Sequence, residues 1–279
     1  MKQVSLICAL VLSTISMTFA QGLKLPALSP TAKISQSFSV SEIEIAYSRP
    51  SLRGRKAFGQ LVAYGELWRT GANAATKVTF GEDVVLGGTD VKAGSYALYT
   101  VPGEKSWEII LNKGVNNWGT GGYNKEDDVV RFNVTPKKIN NKIETFTITI
   151  SDITYTTCNI VLKWENTKVV VPVKANNEER IQKDITKAVE NPSIPYYQAA
   201  NYYLQTGQNL KDALKYADKA IEENPKAFWI QHLKAKIAKE MGEKAIAIDA
   251  ANKAMELSKG SAYEAEQKRN NELIINSFK

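Results

Sequence analysis

The stretch SYALYTVPGEKSWEIIL, residues 95–111, decides the fold class of the first half of the chain. Two runs rich in aromatic and β-branched residues flank a short segment that contains Pro102 and Gly103. Such runs favour strands, and proline followed by glycine favours a turn between them. The stretch therefore predicts two antiparallel strands joined by a short turn.

Similar runs continue this pattern on both sides. They occupy residues 43–47, 77–80, 84–86, 131–134, 146–150, 160–164 and 169–171. No ten-residue helical pattern separates them, which argues against parallel β-α-β units. The segment Gly81-Glu82-Asp83 is interpreted as a hairpin turn between two of the runs. We therefore expect an antiparallel β-sandwich domain over residues 21–174.

The chain changes character at about residue 175. Six helical patterns follow, most of them ending near a glycine or a proline: residues 178–190, 196–205, 210–223, 227–241, 243–258 and 261–277. Connections of a few residues predict that neighbouring helices pack antiparallel. The whole chain is thus predicted to be a multi-domain α+β protein, with β-sandwich first and helices second.

The helical segments contain an internal repeat. Small residues recur at an offset of 34 or 35 positions, since Ala213, Ala217, Ala220 and Gly207 return as Ala247, Ala251, Ala254 and Gly242. This pattern resembles the tetratricopeptide repeat (TPR), in which small residues lie where paired helices approach closely. The resemblance implies a TPR-like array of α-helical hairpins over residues 175–279, with a groove that binds a protein partner.

The β half carries a second resemblance, which rests on five short segments. They are RPSLRGRKAFG (residues 49–59), YGELWRTGAN (64–73), AGSYALY (93–99), WG (118–119) and DDVVR (127–131), in that order. The series resembles a secreted bacterial family called domain of unknown function 2911, over roughly residues 29–173. The resemblance implies a β domain often joined to a helical repeat tail and located outside the cytoplasm, and it implies no reaction.

The N-terminus has the layout of a secretory signal peptide. Lys2 precedes an apolar run, and Thr18-Phe19-Ala20 places small residues at the −3 and −1 positions of a cleavage site. The alternative is a membrane anchor, but the apolar run of about 16 residues is shorter than the roughly 20 that span a bilayer. No later segment is long and apolar enough to cross a membrane. We expect residues 1–20 to be removed and the protein to be exported, to the periplasm or outside the cell.

A few counts exclude whole classes of chemistry. The chain has one histidine, His232, and two cysteines, which excludes multi-histidine metal sites and four-cysteine zinc sites. Removal of the signal peptide leaves Cys158 alone, in a run that resembles a strand. A buried structural thiol is favoured there over a reactive one. The sequence therefore predicts no metal and no cofactor.

Positive charge is concentrated in the β half. Residues 21–174 hold 19 basic and 14 acidic side chains, an excess of five. Arg49, Arg53, Arg55 and Lys56 lie within eight positions, and the planar guanidinium suits carboxylate, phosphate or sulfate groups. The alternative is that these arginines fix a long loop by bonding to backbone carbonyls. Nucleic acid is not expected as a ligand, because the sequence predicts export and contains no recognisable nucleic-acid module.

Polar and aromatic side chains complete the predicted ligand site. Tryptophan and tyrosine on glycine-rich loops can stack on a sugar ring, or they can anchor the loop. We expect an anionic or carbohydrate ligand at this loop surface. The predicted ligand-binding residues are Arg49, Arg53, Arg55, Trp68, Arg69, Asn73, Asn112, Trp118, Tyr123 and Arg131.

These observations favour a binding protein over an enzyme. The predicted function is that of a secreted or periplasmic binding protein, with a ligand on the β half and a protein partner on the helical repeats. A carbohydrate-active hydrolase is one alternative, because Glu66, Asp127 and Asp128 are loop carboxylates and glycoside hydrolysis needs two carboxylates about 5–10 Å apart. A structural scaffold of the cell envelope is the other.

Overall fold

The computed structural model of the chain describes residues 25–189 and 195–279. The predicted signal peptide, residues 1–20, lies outside the described residues. The first half of the described chain is built of strands. They are β1 (Thr31–Phe38), β2 (Ser41–Ser48), β3 (Ala72–Phe80), β4 (Val84–Leu86), β5 (Thr89–Val91), β6 (Gly94–Val101), β7 (Trp107–Asn112), β8 (Asp128–Val134), β9 (Lys137–Ser151) and β10 (Thr157–Ala175).

The strands form two antiparallel sheets. One has the order β1-β2-β3-β6-β7-β8, and the other has the order β5-β4-β10-β9. Because β3 and β4 lie in different sheets, Gly81-Glu82-Asp83 crosses from one sheet to the other, and the predicted hairpin turn is wrong. This crossing also contacts the first helix, since Glu82 accepts a hydrogen bond from the Asn177 amide and forms an ion pair with Arg180.

Strand β10 merges two of the predicted strands. Its apolar residues are interrupted at Glu165-Asn166-Thr167, but the strand continues through this segment as a bulge. Glu165 has a φ of 51°, and the pairing with β9 shifts register on each side of it. The Glu165 carboxylate accepts a hydrogen bond of 3.0 Å from the backbone N–H of Ala57. The bulge thus directs a carboxylate at the loop after β2.

Both sheets contribute to one hydrophobic core. Its aromatic centre consists of Phe58, Trp68, Trp107, Phe146 and Trp164. The Trp68 and Trp164 rings are stacked with centroids 5.8 Å apart, and the Phe58 and Trp107 rings meet edge to face at 4.8 Å. Both geometries are favourable for aromatic pairs. The two strand tryptophans are buried, as predicted, and Trp68 joins them from the segment between β2 and β3.

Cys158 lies near the start of β10 and is buried. Burial raises the pKa of its thiol to about 11. A neutral, buried thiol behaves as a small apolar side chain. Cys158 therefore packs in the core, which is the structural role predicted for it.

Six α-helices follow β10 within the described residues, and they agree with the six predicted segments to within a few positions. They are α1 (Glu178–Val189), α2 (Tyr196–Thr206), α3 (Leu210–Glu223), α4 (Phe228–Glu240), α5 (Lys244–Leu257) and α6 (Glu264–Asn276). From α2 onward each helix packs against the next. Fully buried alanines, among them Ala213, Ala217 and Ala247, allow the helix axes to approach closely. In the part of the chain that is described, no helix is long and apolar enough to cross a bilayer.

Candidate functional site

The arginine-rich segment follows β2 and is bonded to its surroundings. The Arg49 guanidinium donates hydrogen bonds to the Phe146 carbonyl at 3.0 Å and to the Thr147 hydroxyl at 2.7 Å, so it connects the end of β2 to β9. The Arg53 guanidinium donates to the Leu28 carbonyl at 2.8 Å. These two arginines therefore fix the path of the loop by bonding to backbone carbonyls and to a hydroxyl. This is the structural alternative to ligand binding.

Four of the predicted site residues line one pocket beside this segment. Arg55, Glu66, Trp68 and Arg69 share a cavity of about 350 Å³, which we call the arginine pocket. The other lining residues include Leu61, Val62, Leu67, Gly71, Thr120 and Trp164. The volume lies at the lower end of the range for small-molecule sites, roughly 300–1,000 Å³. The pocket thus brings two cations and one anion together with several apolar residues.

Arg55 is partly engaged by the backbone of its own loop. Its Nε donates to the Leu52 carbonyl at 2.9 Å, and its Nη2 reaches the Ser51 carbonyl at 3.3 Å. These bonds orient the guanidinium and leave its charge at the wall of the arginine pocket. No carboxylate of the described residues forms an ion pair with it.

The turn at residues 68–71 holds the backbone of Arg69 in one conformation. Thr70 is completely buried and has a φ of 54°, which a β-branched residue rarely adopts. Its hydroxyl donates to the Thr100 hydroxyl at 3.1 Å, and its carbonyl accepts from the Thr76 hydroxyl at 2.7 Å. Backbone strain of this kind persists only where the surrounding structure enforces it, and it is concentrated at functional sites.

One nitrogen of the Arg69 guanidinium, Nε, is buried without a hydrogen-bond partner. Across the described residues, no carboxylate pairs with this side chain. Gly119 covers the group so closely that a Cβ at this position would lie 2.9 Å from Arg69 Nη1. A buried donor without an acceptor costs about 1–3 kcal/mol, so the Arg69 Nε–H is held in this position at an energetic cost.

A second set of predicted residues forms a closed cluster at the start of β8. The Asp128 carboxylate accepts hydrogen bonds from the Asn112 amide at 2.8 Å, the Tyr123 hydroxyl at 2.9 Å and the Arg131 guanidinium at 2.8 Å. Arg131 also pairs with Glu108. None of these residues lines the arginine pocket. The cluster instead fixes the loop between β7 and β8 on the two strands that it joins.

Tyr123 is expected to lose its proton only at very high pH. Burial, followed by the hydrogen bond to Asp128, raises the pKa of its phenol to about 12. The folded state thus favours the protonated phenol, and this stabilisation is complete below the unfolded pKa of about 10 and is lost as the pH rises through 12. Other tyrosines with raised pKa values also titrate at high pH, so we expect the rise in tyrosinate absorbance near pH 12 to be smaller in Tyr123→Phe than in the wild type by the contribution of one tyrosine. A difference between the two proteins that is already complete at about pH 11 would contradict this assignment.

Two further predicted residues belong to the loop that covers Arg69 and to the strand that supports it. Trp118 is 73% exposed, so its ring does not anchor the loop by burial. The backbone N–H of Gly119 donates to the Asn73 carbonyl at 3.0 Å, and the Asn73 amide donates to the Ser48 hydroxyl at 3.2 Å. Asn73 therefore holds the covering loop in place and does not line the arginine pocket.

The three candidate catalytic carboxylates are not brought together in the arginine pocket. Glu66 lines it, whereas Asp127 and Asp128 do not. Asp128 is engaged by its own cluster, and Asp127 contributes its backbone to the loop, where its carbonyl accepts from the N–H of Lys113. Within residues 25–189 and 195–279, no three histidine, cysteine or acidic side chains are grouped so that they could hold a metal ion.

Several residues of the pocket were not predicted from the sequence. Leu61, Leu67 and Thr120 carry no chemical signal of their own, and Trp164 was predicted only as a core residue. Thr70 positions the site without lining it, and a left-handed conformation at a threonine has no sequence signature. The one available signal was the neighbouring pair of tryptophan and arginine at positions 68 and 69.

Comparison with known proteins identifies one match. A family model described as Protein of unknown function (DUF2911) matches residues 29–173. That range contains every residue of the arginine pocket and of the Asp128 cluster. No curated protein matches the chain, and no solved structure matches it.

Proposed function

This chain belongs to the family described as Protein of unknown function (DUF2911), and from that premise we propose that its β half is a binding domain for a small ligand. The ligand carries an anionic group, on a carbohydrate or on another small molecule, and it binds in the arginine pocket. One observation carries the proposal. The Arg69 guanidinium lines this pocket, and its buried Nε has no partner.

The chemistry of the pocket supports an anionic group. A carboxylate or phosphate offers oxygen acceptors to the guanidinium fork, and such charge-assisted hydrogen bonds are about twice as strong as neutral ones. Arg55 adds a second positive charge in an orientation set by its own loop. Because Thr70 and its buried hydrogen bonds hold the turn, little ordering of the backbone is left to occur on binding.

The proposal extends to architecture and location. The two sheets form a β-sandwich, an arrangement supported by the single core to which both contribute. The helical half is a TPR-like array that binds a protein partner, supported by its buried alanines and by the exposed aromatic side chains of Trp229 and Tyr263. The protein is exported to the periplasm or outside the cell, which the signal-peptide layout of residues 1–20 supports.

Thermal unfolding with and without small ligands tests the binding proposal. The probes are D-glucuronate, glucose 6-phosphate and neutral glucose. A ligand present at about ten times its Kd stabilises the folded state by about 1.4 kcal/mol, which raises the Tm by a few degrees. We expect glucuronate or glucose 6-phosphate to raise the Tm of the wild type, and we expect no such rise in Arg69→Gln.

Arg53→Gln is the matched control for this experiment. Arg53 is a loop arginine that does not line the pocket, and its side chain bonds to the Leu28 carbonyl. We expect this variant to respond to the anionic probes as the wild type does. A response to glucose equal to that of the anions, or a full response in Arg69→Gln, contradicts the proposal.

A further inference from the structure

The arginine pocket contains an acidic side chain as well as the two arginines. Glu66 lines the cavity and is exposed. Its carboxylate forms no ion pair with Arg55, with Arg69 or with any other cation of the described residues. One small cavity thus presents a cation and an anion that do not neutralise each other.

Separate charges of opposite sign do not suit a simple anion. An anion that reaches Arg69 also comes close to Glu66, and in a cavity of about 350 Å³ this repulsion offsets part of the attraction. A ligand with a positive group beside its negative group avoids that repulsion. It pairs its carboxylate with the arginine and its cation with the glutamate.

The rest of the wall defines the third feature of the ligand. Leu61 and Leu67 line the cavity and are only half-buried, so they supply apolar surface beside the charged groups, whereas Trp68 and Trp164 are buried in the core behind them. Pockets of this composition take up the apolar part of a ligand, while a few polar groups fix its orientation. The size of the cavity, near the lower limit for ligand sites, favours a molecule of a few heavy atoms over a peptide segment.

We propose that the arginine pocket binds a free α-amino acid with an apolar side chain; this inference rests on the proposed function of the pocket. The α-carboxylate binds the Arg69 guanidinium, the α-ammonium binds the Glu66 carboxylate, and the side chain packs on Leu61 and Leu67. A peptide terminus presents only one of the two charged groups, whereas a free amino acid presents both on one carbon. The ligand class follows from the presence of both charges in one small cavity.

Calorimetric titration of the full mature chain separates the contributions of the two charges. The ligands are L-leucine, N-acetyl-L-leucine, which lacks the ammonium group, and L-leucinamide, which lacks the carboxylate. We expect leucine to bind the wild type at least about tenfold more tightly than either derivative, because each derivative leaves one charged group of the pocket unpaired. Arg69→Gln should weaken leucine and N-acetyl-leucine by at least about tenfold.

Glu66→Gln should weaken leucine by about tenfold and leave N-acetyl-leucine bound as tightly as before or more tightly, because the repulsion is gone. Glu104→Gln, which changes an exposed acid outside the pocket, is the control and should bind leucine as the wild type does. Arg69→Lys keeps the positive charge but replaces the planar guanidinium, which can donate two parallel hydrogen bonds to a carboxylate, with a single ammonium group. It should retain part of the leucine affinity if Arg69→Gln weakens binding through lost charge and not through misfolding.

The possible failures of this experiment are distinguishable. If N-acetyl-leucine binds the wild type as tightly as leucine and requires Arg69, the amino-acid inference is overturned and the anion-binding function stands. If leucinamide binds as tightly as leucine, the ligand carboxylate does not bind Arg69. The amino-acid inference and the anion-binding function are then both overturned. If leucine, N-acetyl-leucine, glucuronate and glucose 6-phosphate all fail to bind at about 10 mM, both are overturned as well.

Discussion

Replacing Trp68 with alanine should lower the free energy of unfolding of the β half by about 3–5 kcal/mol. The Trp68 ring is only 7% exposed and contacts four other aromatic rings of the core, at centroid distances of 5.1–6.2 Å. Its indole N–H also donates to the Gly71 carbonyl at 2.9 Å, so the change removes a support of the turn that holds Arg69. Denaturant unfolding followed by tryptophan fluorescence measures the loss.

Trp118→Ala is the matched control for this prediction. Trp118 is the same residue type in the same half of the chain, but 73% of its surface is exposed. A substitution at such a position changes stability by no more than about 0.5 kcal/mol. If the two variants were equally stable, Trp68 would not be the connection between the core and the pocket that the structure describes.

Replacing Asp128 with alanine should lower the free energy of unfolding by about 3 kcal/mol. The Asp128 side chain is 10% exposed and accepts hydrogen bonds from Asn112, Tyr123 and Arg131. Its removal leaves these donors without their common acceptor. The expected loss is at the lower end of the range for broken buried ion pairs, about 3–5 kcal/mol, because Arg131 keeps its pairing with Glu108.

The adjacent acid provides the comparison. Asp127 contributes backbone hydrogen bonds to the loop, and alanine keeps those bonds. We expect Asp127→Ala to unfold within about 0.5 kcal/mol of the wild type in the same denaturant titration. Equal losses in the two variants would mean that general negative charge near β8, and not the cluster around Asp128, stabilises this loop.

Regular periodicity predicted the main elements of the chain. Residues 95–111 form β6 and β7 as expected, and the helical patterns became six helices. The exceptions are local. Glu165 looked like a break between two strands, but a bulge lets one strand continue through it. Gly81-Glu82-Asp83 looked like a hairpin turn, because a turn composition does not reveal whether the next strand joins the same sheet.

The sequence predicted which types of residue form the candidate site, but not which of them lie together in one pocket. Arginine, tryptophan and acidic side chains on loops indicated binding, and four of them line one pocket. Arg49 and Arg131, from the same prediction, bond to other parts of the β half. Loop paths depend on contacts distant in sequence, such as the cover that Gly119 places over Arg69. No local pattern around either residue encodes that contact.

The most direct test of the arginine pocket is a ¹⁵N–¹H correlation spectrum of the side-chain groups, recorded as L-leucine is added. Arg69→Lys and Trp68→Phe assign the Arg69 Nε–H and Trp68 indole signals by their disappearance. We predict that both signals shift in a saturable manner, while those of Arg53 and Arg131, which lie outside the pocket, stay in place. Unchanged Arg69 and Trp68 signals at saturating leucine, or shifts confined to Arg53 and Arg131, would contradict the account.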